Sequence, residues 1–172
     1  MSPIQHPQFP SPGHQWHKRL ADLGVRWRLL IEDENSPEQT SIALKERIKE
    51  LNCLYAISQL IERENCPLEE FLAMVVDVLP PSWQYPEIAC ARIVMDNRNY
   101  DSLYFRTSPW FISAPIHFQG QLSGEVTVYY TQPRPLQDEG PFFLEERHLI
   151  DAVAGRIGHT ASRKLTETRL EE

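Results

Sequence analysis

The sequence predicts an α+β domain: an antiparallel β-sheet with N- and C-terminal helices packed on one face. Three observations carry this. Apolar residues recur at helical spacing in long segments near both ends. The middle, from 88 to 130, holds short runs rich in β-branched and aromatic residues. The turns between those runs are too short for crossover helices, which makes neighbouring strands antiparallel and gathers the helices on one side.

Residues 1–13 contain Pro3, Pro7, Pro10 and Pro12 with few apolar anchors, and read as a disordered, extended tail. The next unit, 14–43, is a helical extension. In it Trp16, Leu20, Leu23, Trp27 and Leu30 are separated by steps of four and three, so they share one helix face. An isolated helix of this length is marginal, and the stripe requires a partner, within the chain or across a dimer. Glu32-Asp33-Glu34-Asn35 breaks the pattern, and Ser36-Pro37-Glu38-Gln39 restarts it with a cap, a first-turn proline and a capping-box glutamine. The second helix runs to about Arg63. One of its stripes is Leu44, Ile48, Leu51, Tyr55 and Ser58, and a neighbouring one is Leu54, Ile57 and Ile61. Two adjoining stripes predict two contacts, with a sheet on one side and a helix on the other.

Cys66-Pro67 opens a third helix with Leu68, Phe71, Leu72, Val75 and Leu79 on a single face, and Pro80-Pro81 ends it. Ile88 to Met95 is the first strand, closed by the turn-prone Asp96-Asn97-Arg98-Asn99, and Ser102 to Arg106 is a weaker second. Phe111 to Phe118 and Leu122 to Tyr130 form a hairpin about Gln119-Gly120-Gln121, with glycine where positive φ costs little. Gly124 in the return strand marks a bulge or a close backbone approach. Pro133, Pro135, Gly140 and Pro141 mark a loop, and a last helix runs from about Phe143 toward the C-terminus.

With 172 residues, 41% hydrophobic and 24% charged, the chain has the totals of one globular domain plus an appendage. A net charge of −7 argues against nucleic acid as a partner. No apolar run reaches the roughly 20 residues that span a bilayer, so no membrane is expected. Cys53, Cys66 and Cys90, odd in number and without paired spacing, suit reduced thiols and a cytoplasmic location.

The hairpin Ala114 to Tyr129, followed by the helix opening Phe142-Phe143-Leu144-Glu145-Glu146-Arg147-His148-Leu149-Ile150, resembles the last third of a GAF domain. Residues 44–165 as a whole look like a compact GAF domain, and Pro80 to Ile93 is similar to a variant found in bacterial sensor histidine kinases and related signalling proteins. The resemblance implies a GAF/PAS-like sheet, a small-molecule pocket on the face away from the helices, and terminal helices packed as a dimeric bundle. The function it implies is a non-enzymatic sensory or regulatory module that couples a ligand or partner to flanking dimeric helices in bacterial signal transduction. The alternative is a ligand-free dimerisation or docking domain of a larger signalling protein or enzyme. The stretch between Met95 and Phe111 is short for the roof that encloses a ligand in larger members, so no cofactor is expected. Residues 166–172 read as the end of a signalling-type helix that would feed an output domain.

Strand parity yields the candidate pocket. If Ala89, Ala91 and Ile93 face the helices, Cys90, Arg92 and Val94 face the other side. Arg92 among apolar neighbours needs water, a carboxylate or an anionic ligand, and Cys90 reads as a buried inert thiol. Trp83, Tyr104 and Trp110 lie near strand ends, where they would wall a pocket or fill the core. Ser113 and His117 share a strand face but stand too far apart for a hydroxyl–imidazole pair. His117, His148 and His159 lack ligand spacing, so no metal site is expected. Gly155-Arg156-Ile157-Gly158 lies inside a helical pattern, where small residues permit close approach rather than cradle phosphate. The chain carries neither a phosphoacceptor helix nor an ATP-binding motif. A homodimer is expected, with Trp16, Leu20, Leu23, Trp27, Leu44, Ile48, Leu51, Ile150, Val153 and Ile157 on its helices.

Overall fold

The computed structural model describes residues 38–170, with side chains from residue 44 onward. The expected Pro-rich tail, the helix over 14–32 with Trp16, Leu20, Leu23, Trp27 and Leu30, and the Ser36 cap lie outside the described residues. What is described is an α+β fold with a four-stranded antiparallel sheet and its helices on one face. Helix α1 spans Glu38–Ile61 and runs unbroken across the expected boundary at 43/44. Helix α2 spans Leu68–Val78 and is followed by one 3₁₀ turn, Pro80–Ser82. Strands β1 (Ala89–Met95), β2 (Arg98–Asp101), β3 (Trp110–Phe118) and β4 (Gln121–Tyr130) precede helix α3 (Leu144–Leu170).

The strand order is β2-β1-β4-β3. Two tight hairpins build it. Asp96 and Asn97 both adopt positive φ, 49° and 62°, and reverse the chain so that Met95 pairs with Arg98. This two-residue turn draws Arg98–Asp101 into the ladder, so the second strand is not the expected 102–106. Ser102 ends the ladder instead: its hydroxyl accepts the Ala91 N–H at 2.8 Å. Gln119 and Gly120 (φ 49° and 78°) make the β3–β4 turn. Gly124 combines both expected features. The register shifts beside it, between Ile116 and His117, and a Cβ there would stand 2.1 Å from the Val94 carbonyl oxygen.

Parity sorts the sheet as expected on β1. Ala89, Ala91 and Ile93 join Ile112, Ala114, Ile116, Val126, Val128 and Tyr130 in the core beneath the helices. Helix α2 covers β1 and β2, and α3 covers β3 and β4. The single face expected for α2 is too narrow a reading, because Met74, Val76 and Val78 are buried as well as Phe71, Leu72 and Val75. The helix has the sheet below it and α1 above it, so apolar residues are needed nearly all round. Helix α1 is correspondingly an outer layer. Cys53, Ala56, Ile57 and Leu60 pack inward, and its principal neighbours are α2, the 3₁₀ turn and α3 rather than the expected sheet.

Helices α1 and α3 run side by side in the same direction. Arg156 donates to the Leu54 carbonyl at 3.2 Å and the Ser58 hydroxyl at 2.5 Å. One turn or two further on, Arg163 donates to the Ile61 carbonyl at 3.2 Å and Lys164 to that of Cys66 at 2.6 Å. Arg163 thus satisfies a carbonyl that the end of α1 leaves without a helical partner, while Arg156 adds a bond to a carbonyl within the helix and Lys164 reaches the turn after it.

Helix α3 also blocks the outer edge of the sheet. Arg147, held by Glu139 and Asp151, donates to the Ser113 carbonyl at 2.7 Å. Pro115, on the same side of the strand, has no N–H to offer. At the far end of β3, a Cβ on Gly158 would sit 2.2 Å from the His117 carbonyl oxygen. The small residues of the 154–161 stretch therefore serve an approach to strand backbone. Gly155, one residue after Ala154, meets nothing within 4 Å. The same substitution at the two glycines is expected to act in opposite directions. Gly158→Ala destabilises by about 1–3 kcal/mol through overpacking, whereas Gly155→Ala stabilises by about 0.5–1 kcal/mol through helix propensity. Urea unfolding of both variants checks this, and equal effects would remove the close-approach argument.

Candidate functional site

The residues expected to line one pocket lie on both sides of the sheet. Trp83 is fully buried beneath the helical layer, and Trp110 begins β3 on the same core-facing side as Ile112. Neither reaches the opposite face, because the 3₁₀ turn carries residue 83 under the helices and even-numbered β3 residues point that way. Cys90, Arg92, Ser113 and His117 do lie on the face away from the helices. The ladder sets Arg92 opposite Thr127, which in turn faces Ser113, while His117 is out at the hairpin end beside Leu122. Ser113 and His117 are separated by roughly 13 Å of strand and do not meet.

One end of this face is occupied by the chain's own side chains. Arg92 makes a bidentate pair with Asp101, Nε to Oδ1 at 2.6 Å and Nη2 to Oδ2 at 2.9 Å. Its guanidinium lies 4.1 Å from the Phe105 ring centroid. Phe105 meets Tyr129 edge-on at 5.5 Å, and Tyr129 meets Phe111 at 5.7 Å. The Cys90 thiol is buried, donates to the Arg106 carbonyl at 3.3 Å, and has its pKa pushed up by burial. Burial raises Cys53 to about 12, so that thiol is held protonated. Tyr104 stands half exposed at φ 56° beside this cluster. The connection from Ser102 to Pro109 thus lies over the β1 end of the face, and Arg92 already has the carboxylate it needs.

Two open depressions bounded by described residues lie elsewhere. One, of about 920 Å³, lies where α1 and α3 end and α2 begins, lined by Ile61, Pro67, Arg163, Lys164, Leu165 and Thr168 among others. The other, of about 290 Å³, adjoins it beside Leu68, Leu72, Met95, Arg98 and Tyr100. Arg163 and Lys164 at the first are engaged with main-chain carbonyls. Among the described residues no group of three histidine, cysteine or acidic side chains is placed to hold a metal ion, and no helix is long and apolar enough to cross a membrane.

The helix residues expected at a dimer interface also divide. Ile150, Val153 and Ile157 are wholly buried against the chain's own sheet, so they cannot meet a second copy. Their stripe is the one α3 uses to cover β3 and β4, as any sheet-covering helix must. The α1 stripe behaves otherwise. Leu44, Leu51 and Tyr55 are 59%, 60% and 56% exposed, with Ile48 half-buried between them. These four form an open apolar seam along the outer face of α1.

Sequence reading missed one buried polar centre. Glu146 accepts hydrogen bonds from the Gln84 N–H and the Tyr130 hydroxyl, both at 2.9 Å, and from the Phe143 N–H at 2.9 Å. It joins the segment after the 3₁₀ turn, the end of β4 and the start of α3. Tyr130 is also stacked on Phe142 at 4.5 Å and edge-on to Tyr85 at 5.5 Å. The available signal was the position of Glu146 three residues after Phe143, where a glutamate reaches back to the helix start.

No protein-family model, curated protein or solved structure matches the chain.

Burial raises the Glu146 pKa above its ordinary 4.5, and its three donors only partly offset this. A raised folded-state pKa means that the folded chain binds this proton more tightly. The corresponding stability is complete below the ordinary value and is lost as pH rises through the raised one. Glu146→Gln presents an NH₂ group to a cluster of donors and is expected to destabilise by about 1–3 kcal/mol at pH 7. Because the amide does not titrate, the deficit relative to wild type should widen as pH falls from 7 toward 5. Denaturant titrations of both proteins at the two pH values test this; a narrowing deficit would contradict the sign.

Proposed function

We propose that the chain is a non-enzymatic regulatory module, GAF-like in construction, that docks and dimerises through its helical layer instead of holding a small molecule on its sheet. The observation that carries this reading is the open seam of Leu44, Ile48, Leu51 and Tyr55 on α1. Its heptad-type steps of four, three and four are those of a helix that packs against another helix. The engagement of Arg92 by Asp101 and Phe105, beside Phe111 and Tyr129 at one end of the sheet face, favours docking over ligand sensing. Both sheet edges are poor templates for strand addition, since β3 is covered by α3 and β2 is short and polar. On this reading the partner is a second copy meeting α1 along the seam, and the cytoplasm of a signalling cell is its setting. A larger protein would receive the signal through the continuation of α3, whose Leu165 and Leu170 remain exposed.

Covering side chains that are this exposed is worth about 1 kcal/mol or more each before ordering costs, so a reversible dimer is expected rather than an obligate one. Sedimentation equilibrium of the full chain should show a concentration-dependent dimer, and native mass spectrometry should show no retained small molecule. Leu51→Glu, on an exposed position, should leave the fold intact and weaken dimerisation at least tenfold. A dimer indifferent to Leu51→Glu, or a stoichiometric ligand carried through purification, would sink the reading.

A further inference from the structure

The seam on α1 has a direction as well as a pattern. Leu44, Ile48, Leu51 and Tyr55 follow steps of four, three and four, so the spacing reads the same from either end while the side chains do not. Leucine stands first and tyrosine, the bulkiest of the four, stands last. The Gln59 amide donates to the Tyr55 hydroxyl at 3.2 Å and ties the polar end of that ring to its own helix.

Two copies can meet along such a seam in either sense. Side by side in the same direction, each residue faces its own counterpart, Tyr55 on Tyr55 at one end and Leu44 on Leu44 at the other. The layers are then unequal, and the helix axes are forced apart at the tyrosine end. In opposite directions, Leu44 of each copy faces Tyr55 of the other, and Ile48 faces Leu51. Both ends then hold one larger and one smaller side chain, the two central layers are alike, and the axes keep a constant separation. The palindromic steps are what allow every position to be matched in this sense.

Charge points the same way. Lys45 and Arg47 flank the first half of the seam, Glu62 and Glu64 follow its far end, and all four are exposed. Arg47 shares Glu50 at 3.2 Å, and Arg63 is turned to the Met74 sulfur at 3.1 Å. A same-direction pair gathers the cations of both copies at one end and the carboxylates at the other, with the two helix dipoles parallel. An opposed pair separates like from like. These are screened surface charges, so they reinforce a choice that packing makes.

We propose that the second copy binds the seam antiparallel, with Leu44 of each protomer on Tyr55 of the other and Ile48 on Leu51, about a twofold axis level with the Lys49–Glu50 peptide. The orientation rests on the docking function proposed above. Its consequence reaches the α3 tails, which are tied to the Ile61 end of α1 through Arg163 and Lys164. In this register the Ile61 ends of the two α1 helices stand about 35 Å apart along the axis. The two tails then depart from opposite ends of the pair, so they cannot join in one parallel coiled coil, and each serves its own output.

The test uses the full chain with one cysteine added, Leu44→Cys or Tyr55→Cys; the three native thiols are buried and leave the added one to react. Under mild oxidation, non-reducing electrophoresis and intact mass should give a mixed disulfide from the two proteins combined, at least fivefold above the disulfide dimer of either protein alone. Cross-linking of either protein alone to the extent of the mixture would overturn the antiparallel orientation and leave the docking reading standing. Sedimentation of the same samples separates the remaining outcomes. A dimer that cross-links in no sample would place the contact off the seam, and a monomer would remove the dimer altogether. In both cases the docking reading falls and the orientation with it.

Discussion

A Cβ on residue 158 would stand 2.2 Å from the carbonyl oxygen of His117, so α3 lies against the edge of β3 at a distance only glycine permits. Much of the architecture follows from that approach. It brings Ile150, Val153 and Ile157 down onto the sheet and removes them from any external role. It lets Arg147 reach the Ser113 carbonyl and close the exposed edge of the strand. It also sets the height at which Arg156, Arg163 and Lys164 meet the carbonyls of α1 and its following turn. At the other end of α3, Glu146 performs the matching task by accepting donors from three separate segments.

With α3 consumed in this way, the surfaces left for recognition are few. The face of the sheet away from the helices is the place where a GAF-like domain would be expected to bind a small molecule. Here the connection after β2 is long enough to bring Phe105 over Arg92 and against Tyr129. Arg92 is neutralised by a bidentate carboxylate, the strongest partner available to a guanidinium inside one chain. An incoming anion would have to displace Asp101 as well as desolvate itself. The α1 seam imposes no such cost, because its four apolar side chains gain from being covered.

How much of this was legible in the sequence differs by kind of signal. Fold class, the β3–β4 hairpin and the inward parity of β1 were readable because period-two alternation and a glycine turn are local properties. The α1 seam was readable for the same reason, as a helical stripe distinct from the inward one. Periodicity says that a stripe is apolar, however, and not what it touches. Ile150, Val153 and Ile157 looked like Leu44, Ile48 and Leu51, yet the first set is buried against the sheet, whereas Leu44 and Leu51 stand exposed on the outer face of α1. The early position of β2 was missed because Asp96 and Asn97, two residues tolerant of positive φ, could reverse the chain one step sooner than a longer polar turn. Trp83 and Trp110 were placed at a pocket by proximity to strand ends, whereas their side of the sheet is decided by tertiary packing. Glu146 was invisible as a polar centre, since its partners come from positions 84, 130 and 143.

The same contacts give a physical route by which an event on α1 would reach the rest of the molecule. Helix α1 does not rest on the sheet; it is held from one side by α2 and from another by cations of α3 that grip the carbonyls of Leu54, Ile61 and Cys66. Hydrogen bonds of this kind are directional, so a shift of α1 along its axis would misalign them before it disturbed the apolar contacts beneath. Helix α3 is the less movable partner, pinned by Gly158 to strand backbone and by Glu146 to the core. Displacement would therefore be absorbed where α3 has left the buried core, beyond Ala161, in the stretch that carries Arg163, Lys164 and the exposed Leu165 and Leu170. On the proposed reading, docking at the α1 seam and the direction of the departing α3 tail are coupled through that shared end. The seam and the tail are then two readouts of one helical layer.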